Sequence, residues 1–134
     1  PYGVIDIFPY QIEKENMPIF AEVEAYFFTS AERKVIANKF IRILLKLACY
    51  YPYAVYDKEW FETIDIFAFA QKIKQIMLNR RGFLNILLYQ EDVLLQVDGD
   101  SLYIAAYHMN DKIESLIQSL VLSEGLFWRK VSAE

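Results

Sequence analysis

A chain of 134 residues that is 55% hydrophobic and 16% aromatic, with only four Gly and four Pro, can bury one sizeable core and is too apolar to stay disordered. Its formal charge of −4 and pI near 5.1 exclude a general nucleic-acid binder, which needs a basic face, and suit a basic protein partner better. The single cysteine, Cys49, excludes an internal disulfide and points to the reducing cytoplasm, while Lys39, Arg42 and Lys46 interrupt the longest candidate for a membrane span.

The chain opens at Pro1 rather than Met, which leaves room for a leading segment ahead of it. Gly3 to Phe8 is rich in branched residues and predicts a strand ended by Pro9. A helix should follow, capped by Asn16 with Pro18 in its first turn, and carrying Ile19, Phe20, Val23 and Phe27 at helical spacing. Thr29 and Glu32 have the separation of a capping box and start the strongest helical pattern. Ile36, Phe40, Ile43, Leu44 and Leu47 line its apolar side, and Pro52 ends it near Tyr50 or Tyr51. A third helix is predicted from about Asp65 to Asn79, with Thr63 or Asp65 as cap and Gly82 as the left-handed stop.

The stretch from Phe83 to His108 holds three apolar runs, parted by Gln90-Glu91 and by the tight-turn signal Asp98-Gly99-Asp100. Asn110 or Asp111 caps a last helix that Gly125 stops, and the residues from Leu126 to Val131 return as a strand. The fold class is therefore α+β, one domain over residues 1–134: an antiparallel meander of three to five strands with one face packed against about four helices.

Strand parity divides the meander. A turn at Gln90-Glu91 sets Leu88 opposite Val93, Ile86 opposite Leu95 and Leu84 opposite Val97, an apolar side continued by Leu102, Ile104 and Ala106. The other side carries Phe83, Asn85, Leu87, Tyr89, Leu94, Gln96, Tyr103, Ala105 and Tyr107, a mixture of amides, aromatic rings and a few aliphatics. Tyrosine suits a surface that is wet when free and dry when bound, so this side is the candidate partner surface. The aromatic stretch from Cys49 to Trp60 is expected to send Tyr50 into the core and to leave Tyr53, Tyr56 and Trp60 on an exposed rim beside Asp57 and Glu59.

Catalytic chemistry is scarcely represented. A Cys49/His108 dyad is the one nucleophile–base pairing available, and Cys49 reads as a buried, inert thiol at the end of an apolar helix. Glu91 and Asp92 lie at one turn and Asp98 and Asp100 at the next, about 17 Å apart, too far to converge on a cation. Gly3, Gly82, Gly99 and Gly125 are isolated, so no phosphate loop is present. Charges run in blocks, with bases on the two central helices whose solvated faces explain them better than an RNA site does.

The expected function is a non-catalytic protein-interaction domain, without metal or cofactor, such as an acidic inhibitor of a basic enzyme, an immunity-type partner of a toxin, or a subunit. Self-association through the spare sheet side is a further possibility. The alternative is a small-molecule-binding domain with an aromatic-lined pocket between sheet and helices.

Overall fold

The computed structural model describes residues 2–61 and 65–131. In chain order these form β1 (Tyr2–Asp6), a 3-10 turn (Lys14–Asn16), α1 (Met17–Phe27), α2 (Ser30–Ala48), β2 (Ala54–Asp57), β3 (Glu59–Phe61) and α3 (Ile66–Asn79). There follow β4 (Phe83–Leu88), β5 (Val93–Asp98), β6 (Tyr103–Tyr107), α4 (Asp111–Ser123) and β7 (Phe127–Val131). The strands make one antiparallel sheet in the order β3-β2-β4-β5-β6-β1-β7, so the expected α+β class holds with more strands than the three to five anticipated.

The meander register follows its pattern. Leu84, Ile86 and Leu88 stand opposite Val97, Leu95 and Val93, and Leu95 and Val97 stand opposite Ala106 and Ile104. These side chains are fully buried against Ile36, Phe40, Leu44 and Leu47 of α2, Phe69, Ile73 and Met77 of α3, and Ile113, Ile117 and Val121 of α4. A one-residue slip would expose the whole set, which is why the alternation specifies the pairing so strongly. Three helices, not four, cover this side, because α1 buries none of its residues.

The two unforeseen strands come from the aromatic stretch. β2 and β3 form a hairpin in which Asp57 pairs with Glu59 across Lys58 alone, and Lys58 takes a left-handed φ of 68°. Lysine there gives no turn signal, since glycine or asparagine is the usual occupant. α2 ends earlier than expected, and the ring that turns inward is Tyr51 at 8% exposure, whereas Tyr50 is 65% exposed.

Helix ends show both agreement and correction. Asp65 accepts a hydrogen bond from the Ala68 amide at 2.9 Å and Asn110 one from the Ile113 amide at 3.0 Å, as N-caps do, while the other candidate cap, Thr63, lies outside the described residues. The Thr29/Glu32 capping box does not form: the Thr29 hydroxyl donates to the Tyr26 carbonyl, and Glu32 accepts from the Tyr26 hydroxyl. Arg80, at φ 56°, makes the left-handed stop of α3 two residues before Gly82.

Beyond the helix ends, Arg33 of α2 is 1% exposed and faces no carboxylate within ion-pair distance among the described residues. Its Nε donates to the Met77 carbonyl at 3.0 Å, Nη1 to that of Ser101 at 2.8 Å and Nη2 to that of Gly99 at 2.7 Å. Met77 lies in the last turn of α3, whose carbonyls lack helical partners and attract positive charge, so one side chain closes α2, α3 and the β5–β6 loop together.

At the far end of α2, Glu124 accepts from Arg42 at 2.6 Å and Lys46 at 3.1 Å, tying α2 to the end of α4. Burial alone would raise the Glu124 carboxyl, but the hydrogen bonds from Arg42 and Lys46 outweigh it and hold it below its ordinary value. A depressed folded value contributes stability above the unfolded glutamate pKa of about 4.3 that is lost as pH falls through the folded value. Glu124→Gln is therefore expected to cost under about 1 kcal/mol at pH 7, both bases being half-exposed, and progressively less as pH falls through the folded value; urea titrations across the acid range check it.

Candidate functional site

The side of the sheet away from α2, α3 and α4 is built by parity from every strand. One row runs Trp60, Tyr56, Asn85, Gln96, Ala105, Val4, Arg129 across the sheet, and flanking rows hold Leu87, Leu94, Tyr107 and Tyr2 on one side and Phe83, Tyr103, Asp6 and Phe127 on the other. The edge pair Tyr56 and Trp60 tilts at 53° with centroids 5.1 Å apart, and Tyr2 stacks on Tyr107 at 5.3 Å, both ordinary aromatic geometries. Gln96 Nε2 donates to Asn85 Oδ1 at 3.0 Å, joining the two central amides. Trp60 is 51% exposed and Phe83 54%, while Val4 and Ala105 on the same side are buried among their larger neighbours.

A buried ion pair fixes one end of this face. Asp6 Oδ2 accepts from Arg129 Nη2 at 2.8 Å and Nε at 3.3 Å, and its Oδ1 accepts the Ile7 amide at 2.7 Å. Beside it the Tyr103 hydroxyl is pushed above its ordinary pKa, by burial first and then by Tyr2, Asp98, Tyr107 and Asp6.

Of the residues singled out from sequence, Tyr56, Trp60, Asn85, Gln96, Tyr103 and Tyr107 share this face. Tyr89 is exposed in the Tyr89–Asp92 turn, not on a strand. Tyr53, Asp57 and Glu59 belong elsewhere. Tyr53 is no exposed rim: it stacks on Phe69 of α3 at 4.6 Å, and burial, then Asp65, raises its hydroxyl. Asp57 lies on the helix side, where its Oδ2 meets Lys72 Nζ at 2.9 Å, and its cross-strand partner Glu59 shares that side. Phe83 shares the face as its strand parity predicts, and the open face also gains Tyr2, Phe127 and the Asp6–Arg129 pair. Strand parity extended to β1 and β7 was the signal available for these.

Cys49 is exposed rather than buried, because α2 has already ended at Ala48, and its thiol donates to the Leu45 carbonyl at 3.6 Å. His108 sits at a left-handed φ of 62° with Nδ1 3.7 Å from Asp92, both side chains largely in solvent, and no hydrogen bond joins it to Cys49. Among the described residues no group of three His, Cys, Asp or Glu could hold a metal ion, and no helix is long and apolar enough to cross a membrane.

The gap between sheet and helices lined by Leu44, Leu47, Tyr53, Phe69, Ile86 and Leu95 has no room for a water molecule. A cleft of about 280 Å³ does open between β1, β6, β7 and the start of α4. Its floor is the cross-strand pair Gly3 and Ala106, and the Trp128 ring lies where a side chain on Gly3 would stand. Three of the bases on α2 and α3 are engaged locally, Arg42 and Lys46 by Glu124 and Lys72 by Asp57. Compared with family models, curated proteins and solved structures, the chain matches none.

Proposed function

We propose that this domain is a non-catalytic protein-binding module that meets its partner through the open face of the sheet. The observation that carries the reading is the set of part-exposed rings, Tyr56, Trp60, Phe83 and Tyr103, on a face away from the three core helices. Large amphipathic rings at the centre of a patch are the side chains that dominate binding energy, and acids nearby speed encounter with a positive surface. Asp98 and Asp100 beside Tyr103, with the chain's charge of −4, suit a basic partner such as an enzyme held inactive in the cytoplasm, or a basic subunit.

The rival reading as a small-molecule binder draws support from the cleft over Gly3 and Ala106, where the indole Nε1 of Trp128 is buried without an acceptor. That cleft is slightly below the roughly 300 Å³ at which ligand pockets begin, and acids and a base share its rim, so the open face is preferred.

Affinity capture from native lysate, compared between wild type and a Tyr103→Ala/Trp60→Ala double variant, tests the proposal. A protein retained by the wild type should be retained at least about tenfold less by the variant. The melting temperature should fall by only a few degrees, and Phe67→Ala, at an exposed site on α3, should leave retention unchanged. Identical retention by wild type and double variant would sink the reading, as would unfolding of the variant, which would make the rings structural.

A further inference from the structure

α1 departs from the ordinary behaviour of helices. Apart from Glu22 and Glu24 its side chains are apolar, Tyr26 carrying the one hydroxyl, and a helix of that character is normally buried. Here none of its residues is buried, and Ile19 is 62% exposed. The segment from Phe8 to Glu13 runs beside it, with Tyr10 80% exposed and the Phe8 and Phe20 rings 5.8 Å apart holding the two walls together. Between them lies a groove of about 380 Å³, walled by Phe8, Tyr10, Ile12, Ile19, Phe20 and Val23. The helix contributes Ile19, Phe20 and Val23 at positions i, i+1 and i+4, which lie along one side, and its N-cap residue Asn16 adjoins them.

Acids outnumber bases around this groove, and Glu13 lines it. From residue 7 to residue 27 the chain carries Glu13, Glu15, Glu22 and Glu24 against Lys14 alone. Among the described residues none of these four carboxylates is engaged in an ion pair. The part-buried Arg129 is already taken by Asp6, and a second cleft lined by Phe20, Glu24, Tyr103 and Arg129 leads from α1 to the end of the open sheet face.

We infer that the α1 groove is a docking site for a cationic, amphipathic polypeptide segment, whose aliphatic side chains fill the groove while its lysines or arginines meet the glutamate rim. The apolar stripe supplies contact area in the helix-in-groove manner, and the rim supplies steering and register. A second copy of this chain would set the same acids against one another, and an anionic membrane would be repelled, so the rim selects a basic protein segment. This inference stands apart from the open-face proposal, since its apolar variants, at Ile19 and Tyr10, line the groove whereas Tyr103 and Trp60 do not.

The probe is a synthetic helical peptide of leucine and lysine with leucines at i, i+3, i+4 and i+7, titrated into the isotope-labelled protein and followed by amide shifts. Shifts should concentrate in the Phe8–Glu13 segment and along α1. The dissociation constant should rise at least about tenfold in Ile19→Asp, where the lost apolar contact outweighs the added acid, and again in the combined Glu13→Gln, Glu15→Gln, Glu22→Gln, Glu24→Gln variant. These positions are largely exposed, so the fold should persist; Tyr10→Ala repeats the apolar arm should Ile19→Asp unfold. Equal binding by a serine-for-leucine peptide, or shifts spread over the whole acidic surface, would reduce the effect to diffuse charge attraction and overturn the inference. A concentration-dependent dimer abolished by Ile19→Asp, or anionic vesicle binding abolished by it, would overturn it in favour of those occupants.

Discussion

Arg33→Met is expected to lower the unfolding free energy by about 3–5 kcal/mol, a large part of the 5–15 kcal/mol that holds a typical domain together. Methionine restores most of the volume but no donors, so the carbonyls of Met77, Gly99 and Ser101 lose their partners at a site where the side chain is 1% exposed. Each stranded carbonyl costs roughly 1–3 kcal/mol, partly offset because the charge itself no longer has to be desolvated. Burial first, and then the neighbouring Arg80, lower the guanidinium from its ordinary value to about 10, with Asp100 and Asp98 opposing. The group still carries its charge at pH 7. Arg80 lies on the Phe28 ring at 4.1 Å and Arg33 on the same ring at 4.6 Å, so Phe28 contributes cation–π attraction that methionine also forfeits. Arg33→Lys should recover part of the loss, since an ammonium delivers donors from one point and cannot span three carbonyls as a planar fork does. Equilibrium denaturation of the three proteins gives the comparison. A loss below about 1 kcal/mol for Arg33→Met would mean that water reaches the carbonyls, and the bracing role would be wrong.

Arg33 also marks where sequence reading stops. Helical periodicity distinguishes an apolar stripe from a polar face, and a basic residue in the first turn of an amphipathic helix reads as solvated. Its burial depends on three carbonyls contributed 44, 66 and 68 residues away, and nothing local announces them. The meander was legible for the opposite reason. Its period-two alternation runs through three strands, and a one-residue slip would expose Leu84, Ile86 and Leu88 together. β2 and β3 were hidden by their length of four and three residues and by a corner at Lys58 that lacks glycine or asparagine.

The same gap explains the split in the candidate site. With no strand assigned between residues 54 and 61, Tyr53, Tyr56, Asp57, Glu59 and Trp60 could be read only as a single rim. Once the strand exists, alternation sends Tyr56 and Trp60 to the open face and Asp57 and Glu59 to the other. Asn85, Gln96, Tyr103 and Tyr107 were placed together because their strands were recognised.

Gly99→Ala should be the second large loss, about 2–3 kcal/mol, and for a reason unlike the usual one for glycine in a turn. Gly99 has no left-handed φ; the glycines that do are Gly82 and Gly125. What it supplies is space. A β-carbon here would stand 2.5 Å from the Ile76 carbonyl oxygen and nearer still to the Arg81 nitrogen, both backbone atoms that cannot swing aside as a side-chain tip would. The β5–β6 loop must therefore lift from the end of α3, stretching the Gly99 amide's 3.0 Å bond to the Gly82 carbonyl and pulling the Gly99 carbonyl from Arg33. Since Arg33→Met and Gly99→Ala disturb one corner, the double variant should lose less than the sum of the two, by at least about 0.5 kcal/mol. Strict additivity would show that the loop and the guanidinium are held independently. Tyr103 begins the strand that leaves this loop, so Gly99→Ala should also weaken capture of an open-face partner although the ring itself is intact. A variant that loses stability yet retains the partner fully would separate the corner from the binding face.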